Sequence, residues 1–311
     1  MKAIVQDTYG AMEFRDTNQP VPTDDEVLVQ VRAAGVDPGV WHLMAGRPYA
    51  VRLVSGLRRP KKPVRGMDVA GIVEAVGRNV TRFKPGDEVY GVGEGTFAEY
   101  AVARPDKLAP KPANLTFEQA AAVPVSAATA LQALKGGGVR VLVIGAAGGI
   151  GSYTVQLART MKAHVTGVCS TSKVDIVRRL GADEVIDYTR EPLTGSYDLI
   201  LDTAGDRPLR VLRRLLTDDG TLVLVGGEGG GKLLGTTTRS LRAQLLNPFV
   251  RHKLRGLLAF VRGTDLETLT PLLAAGLVTP LIDRTFPLGE AAAAVAYVHN
   301  GHSAGKVVLT V

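Results

Sequence analysis

A continuous apolar run that leads directly into a cluster of glycines is the feature that most restricts how this chain folds. Residues 141–144 read Val-Leu-Val-Ile and predict a strand buried on both faces, and a helical pattern follows the glycines. Glycines permit a tight turn and a close approach of the backbone to a pyrophosphate, and the first N–H groups of the helix bind phosphate oxygens. The segment therefore predicts a dinucleotide-binding loop. The predicted contacts are Gly145, Ala147, Gly148, Gly149 and Ile150.

Alternating strands and helices continue from this loop to about residue 261, with predicted strands at 164–169, 184–186, 198–202, 222–225 and 257–261. This alternation is typical of a doubly wound parallel sheet. The first hundred residues instead consist of short β segments separated by turn residues, and strands at 281–286 and 306–311 rejoin them. We expect an α/β fold with a β-rich catalytic domain (1–113 and 265–311) and a nucleotide-binding domain (114–264).

Composition excludes several classes of protein. The chain is 45% hydrophobic and 22% charged, which are globular values, and its 311 residues bury a large core without cross-links. Its single cysteine, Cys169, permits no internal disulfide and no cysteine-rich zinc site. Pro124 and several polar residues interrupt the longest apolar stretch, so we expect no membrane insertion. With no secretion signal in the first residues, we expect a cytoplasmic protein.

A net charge of +7 is concentrated in two basic stretches, residues 47–65 and 239–262. Such an excess is compatible with a nucleic acid, an anionic membrane surface or an anionic small ligand. Neither stretch interleaves aromatic residues, as a binder of single strands requires. The simpler interpretation, which we adopt, is that both are solvated surface and that the protein has no nucleic-acid partner.

The residues after the second strand of the nucleotide-binding domain bear on the choice of cofactor. An NAD site usually has an acid there that binds the ribose 2′-hydroxyl. Here the strand at 164–169 runs into Ser-Thr-Ser-Lys, and the first acid is Asp175. Hydroxyls and a lysine suit a 2′-phosphate, and a phenol after the third strand adds a donor. We therefore predict NADPH, held by Ser170, Thr171, Lys173 and Tyr188.

Several short motifs, in order and spacing, give the chain a resemblance over nearly its whole length. They are Asp87-Glu88-Val89-Tyr90-Gly91, Phe97-Ala98-Glu99-Tyr100, Leu180-Gly181-Ala182-Asp183, Asp202-Thr203-Ala204-Gly205 and Gly305-Lys306-Val307-Val308. The chain resembles the medium-chain dehydrogenase/reductase superfamily, in its zinc-independent quinone oxidoreductase-like branch. The resemblance implies a GroES-like catalytic domain, a Rossmann domain and an active site in the cleft between them. Further cofactor contacts are expected at Ala204, Gly205, Val225, Gly226, Phe260 and Lys306.

Two departures from the zinc-dependent members of this superfamily predict that no metal is bound. Those members carry a cysteine ligand in the segment that corresponds to residues 35–41, where this chain has Asp37-Pro38. Where they carry Gly-His-Glu, this chain has Gly66-Met67-Asp68, and methionine does not replace an imidazole ligand of zinc. The chemistry is therefore expected to use NADPH and the protein's own side chains.

The resemblance also implies three catalytic residues. Tyr49 resembles a tyrosine that faces the substrate, and its phenol is suited to donate a hydrogen bond to a carbonyl or enolate oxygen. Thr129 matches a threonine near the nicotinamide carboxamide. Asp37 replaces the asparagine of an Asn-Pro pair that lines the nicotinamide pocket, and this change puts its role in question.

The expected activity is hydride transfer from NADPH to a quinone or an α,β-unsaturated carbonyl. The resemblance also implies a homodimer that associates through the strand at 257–261. One alternative is an enoyl or enone reductase that acts on an acyl substrate. A second is an NADPH-binding sensor or accessory protein without catalysis. The sequence leaves the substrate open, because variable loops build the pocket in this branch.

Overall fold

The computed structural model describes residues 1–205, 207–226, 237–301 and 303–311, and these form two compact units. The first unit comprises Met1–Ala128 and Phe260–Val311, and the second comprises Thr129–Ala259. We predicted boundaries after residues 113 and 264. The structure groups residues 114–128 with the first unit because the helix that follows Thr116 packs on strands of that unit. A capping box between Thr116 and Gln119 starts this helix.

The elements are given in chain order, with those of the second unit between the two parts of the first. The N-terminal part of the first unit contains β1 Lys2–Val5, β2 Glu13–Asp16, β3 Val27–Val36, α1 Pro38–Ala45, α2 Arg52–Ser55, β4 Asp68–Val76, β5 Glu88–Val92, β6 Tyr100–Ala103, β7 Leu108–Pro110 and α3 Phe117–Ala121. The next helix, α4 Pro124–Ala133, begins in the first unit and ends in the second. The second unit contains β8 Arg140–Ile144, α5 Gly149–Thr160, β9 His164–Cys169, α6 Val174–Arg179, β10 Glu184–Asp187, β11 Tyr197–Asp202, α7 Leu209–Arg213, β12 Leu216–Val225, α8 Thr237–Leu246 and β13 Lys253–Leu257. The first unit then ends with α9 Gly263–Ala274, β14 Ile282–Pro287, α10 Ala291–His299 and β15 Lys306–Thr310.

One mixed sheet organises the first unit, in the strand order β14-β15-β3-β4-β5-β7 with β6 on β3. The strand β15 is parallel to β14 and antiparallel to β3, so the end of the chain completes the sheet beside its long central strand. The predicted return of residues 306–311 to the first unit is confirmed. Alternating apolar side chains of β3 and β4 fill the core with those of α10.

A six-stranded parallel sheet organises the second unit, in the order β10-β9-β8-β11-β12-β13. The central strands β8 and β11 are buried on both faces because helices cover the sheet, which explains their continuous apolar sequence. The order places β9 and β11 on either side of β8. The carboxyl end of β8, where the glycine loop begins, is thus flanked by two further strand ends.

The strand that we predicted at residues 257–261 is wrong. The structure places β13 at Lys253–Leu257, in parallel register with β12 from Lys253 opposite Thr221 to Leu257 opposite Val225. β13 pairs with β12 at the edge of the sheet, so a charged, half-buried strand is tolerated there. The apolar run after it is largely exposed: Phe260 lies beyond the strand with 67% of its surface exposed.

No helix was specifically predicted at α1, α2, α7, α8 or α10, and no strand at the exposed β2 or at β7. Among the described residues, none of the helices has the length and apolar character that crossing a membrane requires.

Candidate functional site

The glycine loop has the geometry that its sequence predicts. β8 ends at Ile144, Gly145 turns with φ of +81°, and Gly148 caps α5, which begins at Gly149. A Cβ on Gly151 would collide with the carbonyl oxygen of Gly145, so this packing requires glycine. The first N–H groups of α5 have no acceptor within the helix and remain available to an anion.

Residues at the end of β11 support the glycine loop from one side. The Thr203 hydroxyl donates to the Ile144 carbonyl at 2.8 Å and closes over Gly145. The buried carboxylate of Asp202 accepts hydrogen bonds from the Ala204 and Gly205 amides at 3.2 and 3.0 Å. These contacts fix the turn that carries two predicted cofactor contacts. Sequence reasoning did not assign a role to Thr203.

On the other side of β8, the end of β9 brings its polar residues to the same edge of the sheet. Ser170 precedes a short 3-10 turn, Thr171–Lys173. The Thr171 hydroxyl donates to Asp187 at 2.5 Å, because β9 and β10 are parallel neighbours and Asp187 lies opposite Cys169. Asp187 was not predicted at this site, because it lies on β10 and not in the segment after β9. The pairing of β10 with β9, which local sequence does not show, brings it here.

The Asp187 carboxylate organises the turn that carries Tyr188. It accepts hydrogen bonds from the Thr189 amide and hydroxyl at 3.0 and 2.7 Å. The hydrogen bonds from Thr171 and then Thr189 lower the pKa of Asp187 below its usual value, so this carboxylate is charged at neutral pH. Its acceptor sites are therefore occupied by local donors.

Tyr188 is a half-exposed ring next to a cation. It is 52% exposed, and the Arg207 guanidinium lies 5.4 Å from the ring centroid. The Arg207 carbonyl accepts a hydrogen bond from Arg239 at 2.6 Å, and Arg239 is paired with buried Asp202 at 2.7 Å. Arg207 was not predicted, and it adds positive charge to the region where a 2′-phosphate was expected.

A buried ion-pair triad is the strongest electrostatic feature of the first unit. The Lys306 ammonium, only 2% exposed, lies 2.5 Å from Asp37 Oδ1 and 3.1 Å from Asp68 Oδ2. The Ser126 hydroxyl donates to Asp37 at 3.2 Å, and the Val125 amide donates to Asp68 at 3.0 Å. Gly35 permits this approach, since a Cβ there would stand 2.7 Å from Asp68 Oδ2.

The two carboxyl groups of the triad differ in pKa. Burial, together with the neighbouring charge of Asp37, raises the pKa of Asp68 well above its ordinary value. Burial also acts to raise the pKa of Asp37, but the Lys306 charge and the hydrogen bonds to Asp68, Lys306 and Ser126 outweigh it and lower this pKa. Lys306 thus lies between one carboxyl group whose pKa is lowered and one whose pKa is raised, and all three side chains are buried.

Two predicted site residues belong to this triad. Lys306 was expected to contact the cofactor, but its ammonium points into the protein and is held by two carboxyl groups. Asp37 was expected at the nicotinamide pocket, and its carboxylate is committed to Lys306 and Ser126. The sequence hid this pairing because Lys306 and Asp37 are 269 positions apart.

The remaining predicted residues lie as follows. Tyr49 begins the 3-10 turn Tyr49–Val51, is 43% exposed, and has the Arg52 guanidinium 5.1 Å from its ring centroid. Thr129 is buried in α4, one turn after Ser126. Val225 ends β12, and Gly226 follows it with φ of +61°. Phe260 lies outside the strand on which it was predicted.

The triad also bears on whether these residues suit a zinc ion. Asp37 and Asp68 lie in the two segments in which the zinc-dependent members carry ligands, and Lys306 places a positive charge against both. A second cation would be repelled there, and Met67 is a poor ligand for zinc. Among the described residues, no group of three or more His, Cys, Asp or Glu side chains is arranged to hold a metal ion. The donor set therefore does not fit zinc.

Comparisons with known proteins place the chain in a family. Residues 23–113 match the family model described as "Alcohol dehydrogenase GroES-like domain", and residues 180–309 match "Zinc-binding dehydrogenase", a range that excludes Asp37 and Asp68. The chain is 31% identical to a chloroplast envelope quinone oxidoreductase homolog of Arabidopsis thaliana, over 99% of this chain and 98% of that relative. It is 33% identical to an NADPH-dependent alkenal/one oxidoreductase of the same plant, over 99% and 79%. The quinone oxidoreductase structure from Coxiella burnetii superposes with a TM-score of 0.87 at 28% identity, covering 100% and 99%.

A GroES-like unit and a parallel-sheet unit with a glycine loop define an NAD(P)-dependent oxidoreductase. The chain belongs to the medium-chain dehydrogenase/reductase superfamily, in its quinone oxidoreductase-like branch. The predicted family, fold class and enzymatic nature are thereby confirmed.

Proposed function

We propose that this protein is a zinc-independent, NADPH-dependent reductase of quinones or α,β-unsaturated carbonyls. The observation that carries the proposal is the Lys306–Asp37–Asp68 triad, in which one ammonium engages the carboxyl groups in both segments that hold ligands in the zinc-dependent members. A reductase of this kind needs no Lewis acid to polarise an alcohol, because its substrate already has an electron-poor carbonyl.

The glycine loop, Ser170, Lys173 and Tyr188 support the choice of NADPH. The N-terminus of α5 suits the pyrophosphate, and the polar end of β9 suits a 2′-phosphate. Arg207 beside Tyr188 strengthens the positive potential there. When bound, NADPH supplies the hydride. Ala204, Gly205, Val225, Gly226 and Phe260 remain proposed contacts.

Tyr49 is the proposed proton donor. Reduction adds a hydride and a proton to the substrate, and a half-exposed phenol in a turn is suited to donate to the carbonyl or enolate oxygen. The Arg52 guanidinium lies 5.1 Å from the centroid of the same ring. Thr129 is proposed to orient the cofactor from α4. Asp37 stabilises the site through Lys306 and takes no proton from the substrate.

The second candidate is reduction of a C=C bond in an enone, including an acyl substrate. A relative named 2-methylene-furan-3-one reductase, from Solanum lycopersicum, is 31% identical over 99% of this chain, and the alkenal/one oxidoreductase is of the same kind. Both candidates use the same cofactor site and differ in the shape of the pocket.

We also propose a homodimer and a cytoplasmic location. β13 is an edge strand, and the exposed side chains of Phe249, Leu258 and Phe260 lie close to it in sequence, as at a surface that a second copy covers. Light scattering of the purified protein tests the dimer, and a monomeric mass contradicts it.

Cys169, a free and buried thiol, is consistent with a reducing compartment.

The deciding experiment measures NADPH oxidation by the chelator-treated protein with ortho-quinones, para-quinones and simple enones, and compares NADH. Turnover that survives the chelator supports the proposal, and the preferred substrate class separates the two candidates. Activity that is lost to the chelator and restored by zinc would contradict it. Tight NADPH binding without turnover on any substrate would instead favour a sensor.

A further inference from the structure

The stretch from residue 38 to residue 67 is strongly basic. It contains seven Lys and Arg residues and no Asp or Glu. A second basic stretch lies at residues 239–262, and the rest of the chain is acidic in sum. A segment with several cations and no acid creates a local field that attracts an anionic partner. The reductase chemistry proposed above makes no use of Arg58, Arg59, Lys61 or Lys62.

Three large aliphatic side chains in the same stretch face solvent. Leu53, Val54 and Leu57 are 74%, 76% and 68% exposed. They belong to α2 and the residues just after it. A group of exposed aliphatic side chains within five residues marks an interaction surface, whereas a single one is unremarkable. We call residues 47–62 the cationic loop.

Exposed cations directly follow these aliphatic residues. Arg58, Arg59 and Lys61 are exposed, and within the described part of the chain no ion pair engages them. Lys62 is paired with Glu94. Apolar side chains next to uncompensated cations form an amphipathic surface of the kind that binds at a membrane interface.

The cationic loop is held in shape by hydrogen bonds. The Lys61 amide donates to the Ser55 carbonyl at 2.8 Å, which closes the turn, and the Gly56 amide donates to the Arg52 carbonyl at 2.9 Å. The Tyr9 hydroxyl donates to the Gly56 carbonyl at 2.5 Å and contacts the Ser55 hydroxyl at 2.8 Å. A fixed backbone presents the aliphatic residues outward, so binding does not require the loop to be ordered first.

We propose that the cationic loop docks the protein on the surface of an anionic lipid bilayer. Leu53, Val54 and Leu57 enter the boundary between headgroups and acyl chains, while the neighbouring cations contact lipid phosphates. A nucleic acid offers phosphates but no partner for aliphatic side chains. Leu53, Val54 and Leu57 are also not aromatic residues on which bases could stack. An acidic carrier protein offers less apolar surface than a bilayer. The proposal does not depend on the substrate of the reductase.

The test is co-sedimentation of the purified full chain with vesicles. One set consists of phosphatidylcholine with an equal part of phosphatidylglycerol, and the other of phosphatidylcholine alone. We expect binding to the anionic vesicles that weakens as salt is raised, and little binding to the neutral ones. Absence of binding to anionic vesicles at low salt overturns the proposal. So does binding to a small acidic carrier protein without binding to vesicles.

Two variants with the same change in net charge distinguish docking through the cationic loop from attraction of the whole protein to an anionic surface. R58E/R59E should reduce the bound fraction about tenfold or more, since each basic residue adds to the attraction of an anionic surface. R178E/R179E changes the net charge equally, on an adjacent exposed pair in α6, and should bind like the parent. Equal loss in both variants overturns the proposal.

The apolar contribution has its own variant and a second readout. L53S/V54S/L57S should weaken binding, whereas V21S/V139S, at exposed apolar positions elsewhere, should not. Unchanged binding of the triple variant overturns insertion. Should the triple variant fail to fold, an environment-sensitive dye on L53C reports insertion in an otherwise intact chain, because Cys169 is buried. We expect a blue shift with anionic vesicles for L53C and none for V21C, and no shift at L53C contradicts the proposal.

Discussion

Lys306 Nζ lies 2.5 Å from Asp37 Oδ1 and joins the first residue of β15 to the residue that precedes α1. Asp68, at the start of β4, is bound to the same ammonium. Three segments distant in sequence are therefore tied together by one buried cation. The consequences of this contact for stability and for pH dependence are directly measurable.

Replacement of Lys306 by an uncharged residue should lower the free energy of unfolding. K306M leaves the Asp37 carboxylate buried without a counter-charge, and breaking a buried pair in this way lowers the free energy of unfolding by about 3–5 kcal/mol. Urea denaturation of K306M and of K84M, a change at an exposed lysine, measures the difference. A K306M protein as stable as K84M would contradict the role of the triad. D37N/K306M, which removes both charges, should recover part of the loss.

Asp68 should govern how stability responds to rising pH. Its folded pKa is raised, so above about pH 4, where an unfolded aspartate has released its proton, the folded chain still holds one. The folded state then binds more protons, and the free energy of unfolding falls as pH rises toward the folded pKa. D68N, which resembles the protonated carboxyl, should reduce this fall. Urea denaturation across a pH series measures it, and identical slopes for parent and D68N would refute the assignment.

Asp37 should show the opposite sign. Its pKa is lowered, so its contribution to stability is present above about pH 4 and is lost as pH falls through the folded value. D37N should show a smaller loss of stability on the acid side than the parent, and it should be less stable than D68N at neutral pH, because Lys306 then lacks its charged partner. Equal stability of D37N and D68N at neutral pH would argue against this division of charge.

Selectivity for NADPH should depend on Lys173. K173A removes a charged donor from the proposed 2′-phosphate site, and we expect the dissociation constant for NADPH to rise about tenfold or more while that for NADH is unchanged. Fluorescence titration with each cofactor measures both constants, with K84A as the control. A parallel loss for NADPH and NADH would show that Lys173 supports the fold and not the phosphate.

Proton donation by Tyr49 is tested with Y49F. Loss of a general acid lowers kcat by about a hundredfold or more, and the dissociation constant of NADPH should not change. Stopped-flow measurement of NADPH oxidation at several pH values separates this from a packing effect, because only a proton donor alters the pH profile. A kcat equal to that of the parent would assign the proton to water.

Local pattern was enough to predict the elements around the glycine loop. β8 and α5 depend on neighbouring residues only: an apolar run, a turn that requires glycine and a helical repeat. β13 was misplaced because at a sheet edge the polar pattern Lys253-Leu254-Arg255 forms the strand, and the more apolar run after it is exposed. Hydrophobicity alone therefore misleads where a strand is covered on one side only.

The contacts of the triad and of Asp187 could not be predicted from the sequence for a different reason. Asp37 and Asp68 were noted from the sequence as departures from the zinc-dependent members. Their partner lies at the other end of the chain and is brought to them by the order of strands β15-β3-β4. Asp187 meets Thr171 because β10 is the neighbour of β9. Contacts of this kind follow from topology, which no local sequence pattern contains.

The position of β15 in the first sheet has a consequence for how the protein is made. A ribosome synthesises β3 and β4 early, then the whole of the second unit, and only afterwards the strand that carries Lys306. All strands of the second sheet are thus available for folding while Asp37 and Asp68 still lack their cation. Closure of the first sheet is a late event in biogenesis, and a nascent chain that stalls before residue 306 exposes the edge of β3 to other chains.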